Sequence, residues 1–348
     1  MIGARKPRWS FMRLDSEDRP LGLLSSVTGG SGTIAARERL GGSASLTLDE
    51  IGQDIDWMRD RVQVIYDPGV VGVDPWPVGT YLFTSPKERH DGVRVSYDVG
   101  LLTKLTVLDE DTVTGRYTLP KGADIIPAVE MLIQSAGEYR IAVTESSAKL
   151  GATYVSEPDD SKLTVINDLL AAAGYGALWV DGAGQFRVEP YVLPADRPVA
   201  YRFEHGEASV HLPEWEREQN HSIVPNRFVV IGDSDETAPP MRGVAENTNP
   251  ASPYSFQARG RWITGREEGF DGETQAAFTE RAKRRLRDAM SPVSRLTASH
   301  AMLPLDPDML VEFIPEDLVP RMATVQRMTF SFDPFTVVDA EWREVIPL

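Results

Sequence analysis

The sequence contains no cysteine, although it is 348 residues long. This absence excludes disulfide bonds, thiolate nucleophiles and cysteine-ligated zinc. A chain of this length is expected to form roughly two to four domains. Its hydrophobic fraction of 41% and charged fraction of 25% are close to the averages of folded soluble proteins. We therefore expect ordinary hydrophobic cores.

Basic residues are too few to balance the acidic ones, and the formal net charge is −16. A protein that reads duplex DNA normally presents a basic stripe, and anionic membranes attract basic segments, so this charge argues against both partners. The longest apolar stretch, from Leu169 to Val180, is interrupted by two glycines and is too short to cross a bilayer. The sequence predicts no membrane insertion by this chain.

Histidine is also scarce, and no pair of histidines has the spacing of a helical zinc site. His205 and His211 fall in an acidic stretch that we predict to be a loop with solvated histidines; a metal site there is the weaker alternative. The sequence has neither a Gly-x-Ser-x-Gly elbow nor a Walker-type phosphate loop. It therefore predicts no catalytic, cofactor-binding or metal-binding residues and no cofactor. The five histidines are His90, His205, His211, His221 and His300.

Carboxylates occur in three short runs, Asp109–Asp111, Asp159–Asp160 and Asp233–Glu236. Two carboxylates that face each other in a cleft can hydrolyse a glycosidic bond. These runs fall at predicted loops or element edges, so we interpret them as solvated acidic turns. Loose calcium binding at Asp233–Glu236 stays open as an alternative, although the run lacks EF-hand spacing.

Alternating apolar and polar residues dominate the chain and predict antiparallel strands with one buried face. The alternation is clearest in Val93–Val99, Met328–Phe332 and Val338–Arg343. Shorter strands are predicted at Ser45–Leu48, Val62–Tyr66, Thr80–Thr84 and Phe228–Ile231. The last of these is apolar throughout, which is typical of a more central strand.

Helical periodicity appears in three segments. The first is Ile125–Ser135, with Pro127 in its first turn, where proline is tolerated. The second is Lys162–Ala173, which Ser161 can cap and Gly174 can end. The third is Glu273–Met290, whose predicted buried stripe consists of Phe278, Ala282, Leu286 and Ala289.

These patterns divide the chain into a first β-barrel-like domain at 1–107, a mixed α+β domain at 108–195, and a second β-barrel-like domain at 196–235 and 293–348. The segment 236–292, rich in Pro, Gly and Asn before its helix, is interpreted as an inserted loop and helix domain that splits the second strand region. The predicted fold class is therefore mainly β with α+β parts.

Two glycine-rich segments need an explanation. Asp181-Gly182-Ala183-Gly184 is followed by Gln185-Phe186-Arg187-Val188, an alternating strand and not a helix. A phosphate loop needs a helix N-terminus, so this segment is predicted to be a hairpin turn. We expect the helix Lys162–Ala173 to pack across that hairpin. The other segment, Thr28–Thr33, has no lysine and no following helix, and we predict a flexible loop.

The long helix carries a basic cluster of Arg281, Lys283, Arg284, Arg285 and Arg287. A solvated face is the first interpretation, and a salt-bridge surface toward an acidic neighbouring subunit is the functional one. This face and the segment Thr28–Thr33 are the candidate interface regions.

Several phrases, in order along nearly the whole chain, resemble the tail hub (minor tail) proteins of siphophages, a family similar to the baseplate hub of contractile tails. They include "SLTLDEIGQDIDWMRDRVQVIY", "PVGTYLFTSPKERHDGVRVSYDVGLLTKL", "VTGRYTLPKGADIIPAVEMLIQSAG", "SKLTVINDLLAAAGYGALWVDGAGQFRVEPYVLPADRPVAYRF" and "VPNRFVVIGDS". The resemblance implies two related β-barrel-like domains plus helper domains.

The resemblance also implies a role. Three chains would form a ring of six barrels that matches a sixfold tail tube above and a threefold tip below. The implied partners are the chain itself as a homotrimer, the distal tail protein, the C-terminus of the tape-measure protein and tail fibre or tip proteins. DNA would only pass through the channel as cargo. The implied location is the virion tail tip, after assembly in the host cytoplasm.

Two other functions stay open at this point. A tail-associated cell-wall hydrolase would need facing carboxylates or a metal in a cleft. A carbohydrate-binding receptor module could use the seven tryptophans as stacking platforms, but they are spread over the whole chain, and core packing is the simpler interpretation.

Overall fold

One sheet of 14 strands runs through most of the protein and joins its N-terminal and C-terminal parts. The computed structural model describes residues 6–49, 54–219, 222–232, 240–270, 274–290 and 294–345. The protein is mainly β, with two β-barrel-like groups of strands, a mixed helix and hairpin region, and an inserted unit within the second group.

The first group, called barrel one here, contains eight antiparallel strands, and buried residues alternate with more exposed ones in β4 and β5, as the sequence pattern predicts. Their order in the sheet is β3-β4-β8-β6-β5-β1-β2, and β7 pairs with β8. The strands are β1 (Arg8–Leu14), β2 (Pro20–Leu23), β3 (Val27–Ala35), β4 (Gly42–Asp49), β5 (Arg61–Asp67), β6 (Trp76–Phe83), β7 (Lys87–His90) and β8 (Val95–Thr103).

The mixed region follows directly after β8. Three helices and two small sheets enclose a core of their own, in which Phe186 and Val188 of the hairpin pack with the leucines of the second and third helices. The elements are α1 (Leu105–Glu110), β9 (Thr118–Leu119), α2 (Ile125–Ser135), β10 (Ile141–Val143), β11 (Tyr154–Val155), α3 (Lys162–Ala173), β12 (Trp179–Val180) and β13 (Phe186–Val188).

The second group, called barrel two here, contains six strands that come from both sides of the inserted unit. They follow the order β15-β19-β22-β21-β20-β14, in which β14 and β20 are parallel and the other pairs are antiparallel. The strands are β14 (Val199–Glu204), β15 (His211–Gln219), β19 (Ser294–Ala301), β20 (Leu310–Ile314), β21 (Arg321–Ser331) and β22 (Val337–Glu344).

The inserted unit is a three-stranded sheet, ordered β17-β16-β18, with a helix packed on one face. Phe278, Ala282 and Leu286 of that helix are buried, as their periodicity predicts, whereas Ala289, the fourth residue of the predicted stripe, is half-buried. The elements are β16 (Arg227–Ile231), β17 (Arg242–Glu246), α4 (Phe256–Arg259), β18 (Thr264–Glu267) and α5 (Gln275–Met290).

The helix predictions hold. The ends of α2 and α3 fall at the predicted residues, the Ser161 hydroxyl accepts a hydrogen bond from the Thr164 N–H at 3.1 Å, and Gly174 ends α3 with φ +76°. The described part of the third helix starts at Gln275, and Glu273 lies outside the described residues. The short helix α1 and the strands β17 and β18 were not predicted, because short elements carry too few residues to show a period.

Two predictions change. Thr28–Thr33 is not a flexible loop: it lies within β3, paired on one side with β4 and on the other with β21. The strand predicted at Phe228–Ile231 exists and is central, but within the described residues it pairs with β17 and β18 and with no barrel strand. An apolar run identifies a strand without identifying its neighbours, which explains the second change. The predicted division of the chain into domains, with its boundaries, stays a prediction.

Among the described residues, no helix is long and apolar enough to cross a membrane.

Candidate functional site at the domain seams

Strand β3 joins the two barrels. Ser31 to Ala35 pair with Ser331 to Arg327 of β21, while the other edge of β3 pairs with β4 of barrel one. Buried residues of both barrels belong to one continuous hydrophobic core. The two barrels are therefore connected by backbone hydrogen bonds and by a shared interior.

Aromatic rings fill this junction, which we call the apolar seam (Trp9, Gly30, Gly32, Phe330 and Phe332). The Trp9 ring stacks on Phe330, with 5.8 Å between ring centroids, and meets the edge of Phe332 at 5.1 Å. The indole N–H of Trp9 donates to the Asp333 carbonyl oxygen at 2.9 Å. Such aromatic pairs add to the free energy gained by burial alone.

Glycine is required in this part of β3 because the rings lie directly on the backbone. A Cβ on Gly32 would stand 2.7 Å from the Phe330 ring. A Cβ on Gly30 would stand 2.2 Å from the Ser45 carbonyl oxygen and 2.7 Å from the Phe332 ring, and Gly30 also has φ +149°. The glycines of Thr28–Thr33 thus permit close packing between the barrels and do not provide flexibility.

A second junction connects barrel one to the mixed region through four buried charges, called here the charge cluster (Asp18, Arg61, Lys104 and Glu138). Arg61 donates to Asp18 at 2.8 Å and to Glu138 at 2.6 Å. Lys104 donates to the same two carboxylates at 2.6 and 2.8 Å. All four side chains are at most 8% exposed, and the Lys104 side chain is fully buried.

The residues of the charge cluster come from separate parts of the chain. Asp18 lies in the turn between β1 and β2, Arg61 begins β5, Lys104 precedes α1, and Glu138 follows α2. Burial opposes the charge of Arg61, but Glu138 and Asp18 offset this effect and raise the pKa of its guanidinium above the ordinary value. The two cations and two carboxylates neutralise each other, which is the condition for burying charges at acceptable cost.

The turn Asp181–Gly184 docks on barrel one beside this cluster. The carbonyl oxygens of its last three residues each accept a hydrogen bond from a different side chain. Two of these side chains belong to barrel one, and the third directly follows β8. Gly182 accepts from Thr80 at 3.2 Å, Ala183 from Gln63 at 3.3 Å, and Gly184 from Lys104 at 2.9 Å. Lys104 thereby uses all three of its ammonium donors.

The two glycines of this turn have distinct roles. Gly184 has φ +81°, and Gly184 N–H donates to the Asp181 carbonyl oxygen at 2.9 Å, which closes the predicted hairpin between β12 and β13. A Cβ on Gly182 would stand 2.1 Å from the Pro77 carbonyl oxygen of β6. The sequence therefore predicts the turn correctly, but gives no sign that the turn contacts the barrel.

The four histidines within the described residues do not lie together in one site. His90 is exposed and pairs with Glu88, and His205 is exposed, as expected for solvated residues. His211 is not in a solvated loop: it begins β15, is 7% exposed and faces His300 across the strand pair. Its alternation with Trp215 was obscured by an irregularity in the strand register between these residues. His221 lies outside the described residues.

His211 and His300 enter the core of barrel two near Trp342. Each ring nitrogen Nδ1 lies 2.7 Å from the carbonyl oxygen of the following residue. Among the described residues, their Nε2 atoms and the indole N–H of Trp342 find no hydrogen-bond partner. Burial lowers the pKa of His300 to about 4, so this histidine is neutral near pH 7.

The described acidic runs form ion pairs and hydrogen bonds with other residues of the chain. Asp109 accepts from Arg39 at 2.7 Å, Asp111 pairs with Lys162 at 2.6 Å, and Asp160 accepts the Glu157 N–H at 2.9 Å. The run Asp233–Glu236 lies outside the described residues. Within the described ranges, no group of three or more histidine, aspartate or glutamate side chains could hold a metal ion.

The basic cluster on α5 is partly neutralised within the chain. Arg281 and Arg285 both bind Glu267 of β18 at 2.8 Å, and the hydrogen bonds from Arg285 and Arg281 lower the pKa of Glu267 to about 2. Lys283, Arg284 and Arg287 are exposed. The sequence correctly predicts a charged outer face, although two of its five cations point toward the inserted sheet.

The tryptophans are structural. All seven are buried or half-buried in the described structure, and most pack against other aromatic rings. Core packing explains them, as the sequence suggests. The features that distinguish this protein are its two seams, which fix the relative position of three structural units, and no reactive group is needed for that task.

No family model matches this sequence, and no curated protein is similar enough to count as its relative. Solved structures share its fold. A tail protein from Neisseria meningitidis superimposes with a TM-score of 0.69 at 11% identity, covering 97% of each chain. The 43 kDa tail protein of prophage MuSo2 from Shewanella oneidensis gives 0.71 at 11% identity, covering 97% of this chain and 98% of that one.

A third similar structure is an E. coli type VI secretion component described as resembling the bacteriophage T4 tail proteins gp27 and gp5. It has a TM-score of 0.51 at 10% identity and covers 92% of this chain and 74% of that one. The chain therefore has the fold of these phage tail proteins over 97% of its length. This likeness defines the class of fold.

Proposed function

We propose that this protein is a structural component of a bacteriophage tail and serves as the hub at the tail tip. The observation that carries the proposal is the fold likeness to two phage tail proteins over 97% of this chain. A match over the whole length includes the mixed region and the inserted unit, so it does not depend on a widespread barrel alone.

The hub assembles as a homotrimer. Two barrel-like units in each chain give six in a trimer, which can lie against a sixfold tail tube while the trimer keeps threefold symmetry toward the tip. The direct pairing of β3 with β21 supports this role, because it makes the two barrels one continuous body. Closed rings of identical chains need contacts that repeat by rotation.

The ring surrounds the channel of the tail. Its net charge of −16 per chain suits a wall that DNA passes without binding, since like charges repel. Its proposed neighbours are the distal tail protein, the C-terminus of the tape-measure protein, and fibre or tip proteins. The proposed role is not enzymatic, and Asp109, Asp111 and Asp160 of the predicted runs are held in ion pairs or turns.

Light scattering of the purified chain and antibody labelling of tails test this function together. We expect a particle of three times 38.5 kDa and labelling confined to one end of the tail. A matched antibody against the tube protein should label the whole length. A monomer at every soluble concentration, combined with absence from purified particles, would contradict the proposed hub.

A further inference from the structure

The exposed face of α5 carries cations that make few or no ion pairs within the described residues. Arg281 and Arg285 are occupied by Glu267, which leaves Lys283, Arg284 and Arg287. Lys283 pairs with Glu280 on the same helix, and both side chains are more than half exposed. Among the described residues, Arg284 and Arg287 make no ion pair.

An acidic row lies on β15. Glu214, Glu216 and Glu218 are exposed, and none forms an ion pair within the described residues. Glu216 and Glu218 share one face because side chains alternate along a strand, whereas Glu214 lies in the segment of irregular register between His211 and Trp215. The opposite face carries Trp215, which packs on Phe313 in the core. β15 also stands at the end of the strand order of the large sheet, where a neighbour can reach it.

The two rows match in spacing. Residues two apart on a strand are separated by about 7 Å along its axis. Lys283 and Arg287 are one helical turn apart, which corresponds to about 6 Å along α5. The step from Glu216 to Glu218 is therefore close to one turn of α5, so these two carboxylates can lie next to two cations of the basic row.

We propose that the basic row of α5 docks on the acidic row of β15 in a second copy of this chain. The inference rests on the proposed multi-copy hub and names the residues of one contact in it. A second copy is the occupant because the complementary charges lie on two different surfaces of one chain. Such a head-to-tail contact repeats around an axis and can close a ring.

The contact sets orientation more than affinity. Exposed ion pairs contribute little to stability and are weakened by salt, whereas complementary rows steer association and penalise wrong registers. Association of the copies is therefore expected to slow and lose register when the charges are reversed, while the fold of each chain is unaffected.

Cysteine cross-linking tests the contact directly, because the natural chain has no cysteine. Size-tagged Arg287→Cys protein is mixed with untagged Glu216→Cys protein and treated with a short bis-maleimide, since paired long side chains hold their backbones further apart than a disulfide spans. We expect the yield of covalent heterodimer to be at least fivefold higher than with Glu145→Cys in place of Glu216→Cys. Glu145 is an exposed control position in the mixed region.

Charge reversal gives the second readout. Arg284→Glu, added to the Arg287→Cys protein, should reduce the heterodimer yield severalfold, and adding Glu218→Lys to the Glu216→Cys protein should restore it. Arg116→Glu, an exposed change elsewhere, is the control. If the Glu216→Cys protein gives no more heterodimer than the Glu145→Cys control, the inference is overturned. If the wild-type chain is still a trimer found in tails, the proposed hub stands and only this contact fails.

Discussion

Barrel one is held on its two sides by opposite chemistry. Toward barrel two it presents aromatic rings on bare glycine backbone, with Phe330 and Phe332 against Gly32 and Gly30. Toward the mixed region it presents four buried charges and a row of donors that bind the turn at Gly182–Gly184. Burial of apolar rings is not directional, whereas ion pairs and hydrogen bonds require particular distances and angles.

This difference suggests different tasks for the two seams. The barrel–barrel seam already has its register fixed by the β3–β21 ladder, so its side chains only need to fill space. No ladder of strands joins the mixed region to barrel one within the described residues. The charge cluster supplies the directional contacts there, and we interpret it as the device that fixes the orientation of the mixed region.

The largest expected effect comes from breaking the charge cluster. Lys104→Met keeps a side chain of similar length but leaves Asp18 and Glu138 with Arg61 and with the half-exposed Arg140, which lies 4.0 Å from Asp18. It also removes the donor to Gly184. An uncompensated buried charge costs about 3–5 kcal/mol, so urea unfolding should show a loss of that size. Arg8→Met, which breaks an exposed ion pair with Asp67, is the control and should have no measurable effect. Equal losses in the free energy of unfolding of the two variants would show that the charge cluster contributes no more than an exposed ion pair.

The next effect contrasts these paired charges with His300, a buried ionisable group that forms no ion pair within the described residues, although the charge of Asp339 raises its pKa slightly against the effect of burial. His300 has a folded-state pKa of about 4 and an ordinary value of 6.5. Below pH 6.5 the unfolded chain therefore binds a proton that the folded chain excludes. The free energy of unfolding should fall from this source by about 3 kcal/mol between pH 6.5 and 4, and no further below.

Comparison of wild type with His300→Phe isolates this contribution from other titrating groups. The variant keeps an aromatic ring but cannot be protonated, so its stability should depend less steeply on pH over the same interval. Urea unfolding at pH 7, 5.5 and 4 measures the difference. Parallel pH profiles for the two proteins would show that His300 is not the group responsible.

The sequence predicts the elements of this fold better than their contacts. Periodicity gives both ends of α2, and periodicity together with the capping residues Ser161 and Gly174 gives both ends of α3, because these signals act locally. The same local reasoning identifies the hairpin turn at Gly184. It could not reveal that Thr28–Thr33 is a central strand, because the rings that require its glycines are about three hundred residues away in the chain.

The sequence does not reveal the charge cluster either. Asp18, Arg61, Lys104 and Glu138 are single charged residues in unremarkable surroundings, and only the fold brings them within 3 Å. A buried Lys or Arg at a strand end is indistinguishable by sequence from an exposed one. His211 was misplaced for a related reason, since the irregular strand register hides its alternation with the buried Trp215.

A smaller effect is expected where the turn meets barrel one. Gly182→Ala places a methyl group 2.1 Å from the Pro77 carbonyl oxygen, and a backbone atom in a paired strand cannot move away cheaply. We expect a loss of about 1–3 kcal/mol, with faster hydrogen exchange of the Gly184 amide. Gly115→Ala is the control, because nothing lies within 4 Å of its added Cβ and its backbone is ordinary. Unchanged exchange would mean that the turn is not held by the barrel.

The smallest effect should come from the matching glycine of the apolar seam. Gly32→Ala brings a methyl group within 2.7 Å of the outer edge of the Phe330 ring, which can tilt, whereas Gly182 faces backbone. We expect a loss near the lower limit of overpacking, about 1 kcal/mol. Combining Gly32→Ala with Phe330→Leu should recover part of that loss, because the shorter side chain frees the space. If Gly32→Ala proves as costly as Gly182→Ala, the apolar seam is as rigid as the directional one, and the distinction between a space-filling and an orienting seam has to be given up.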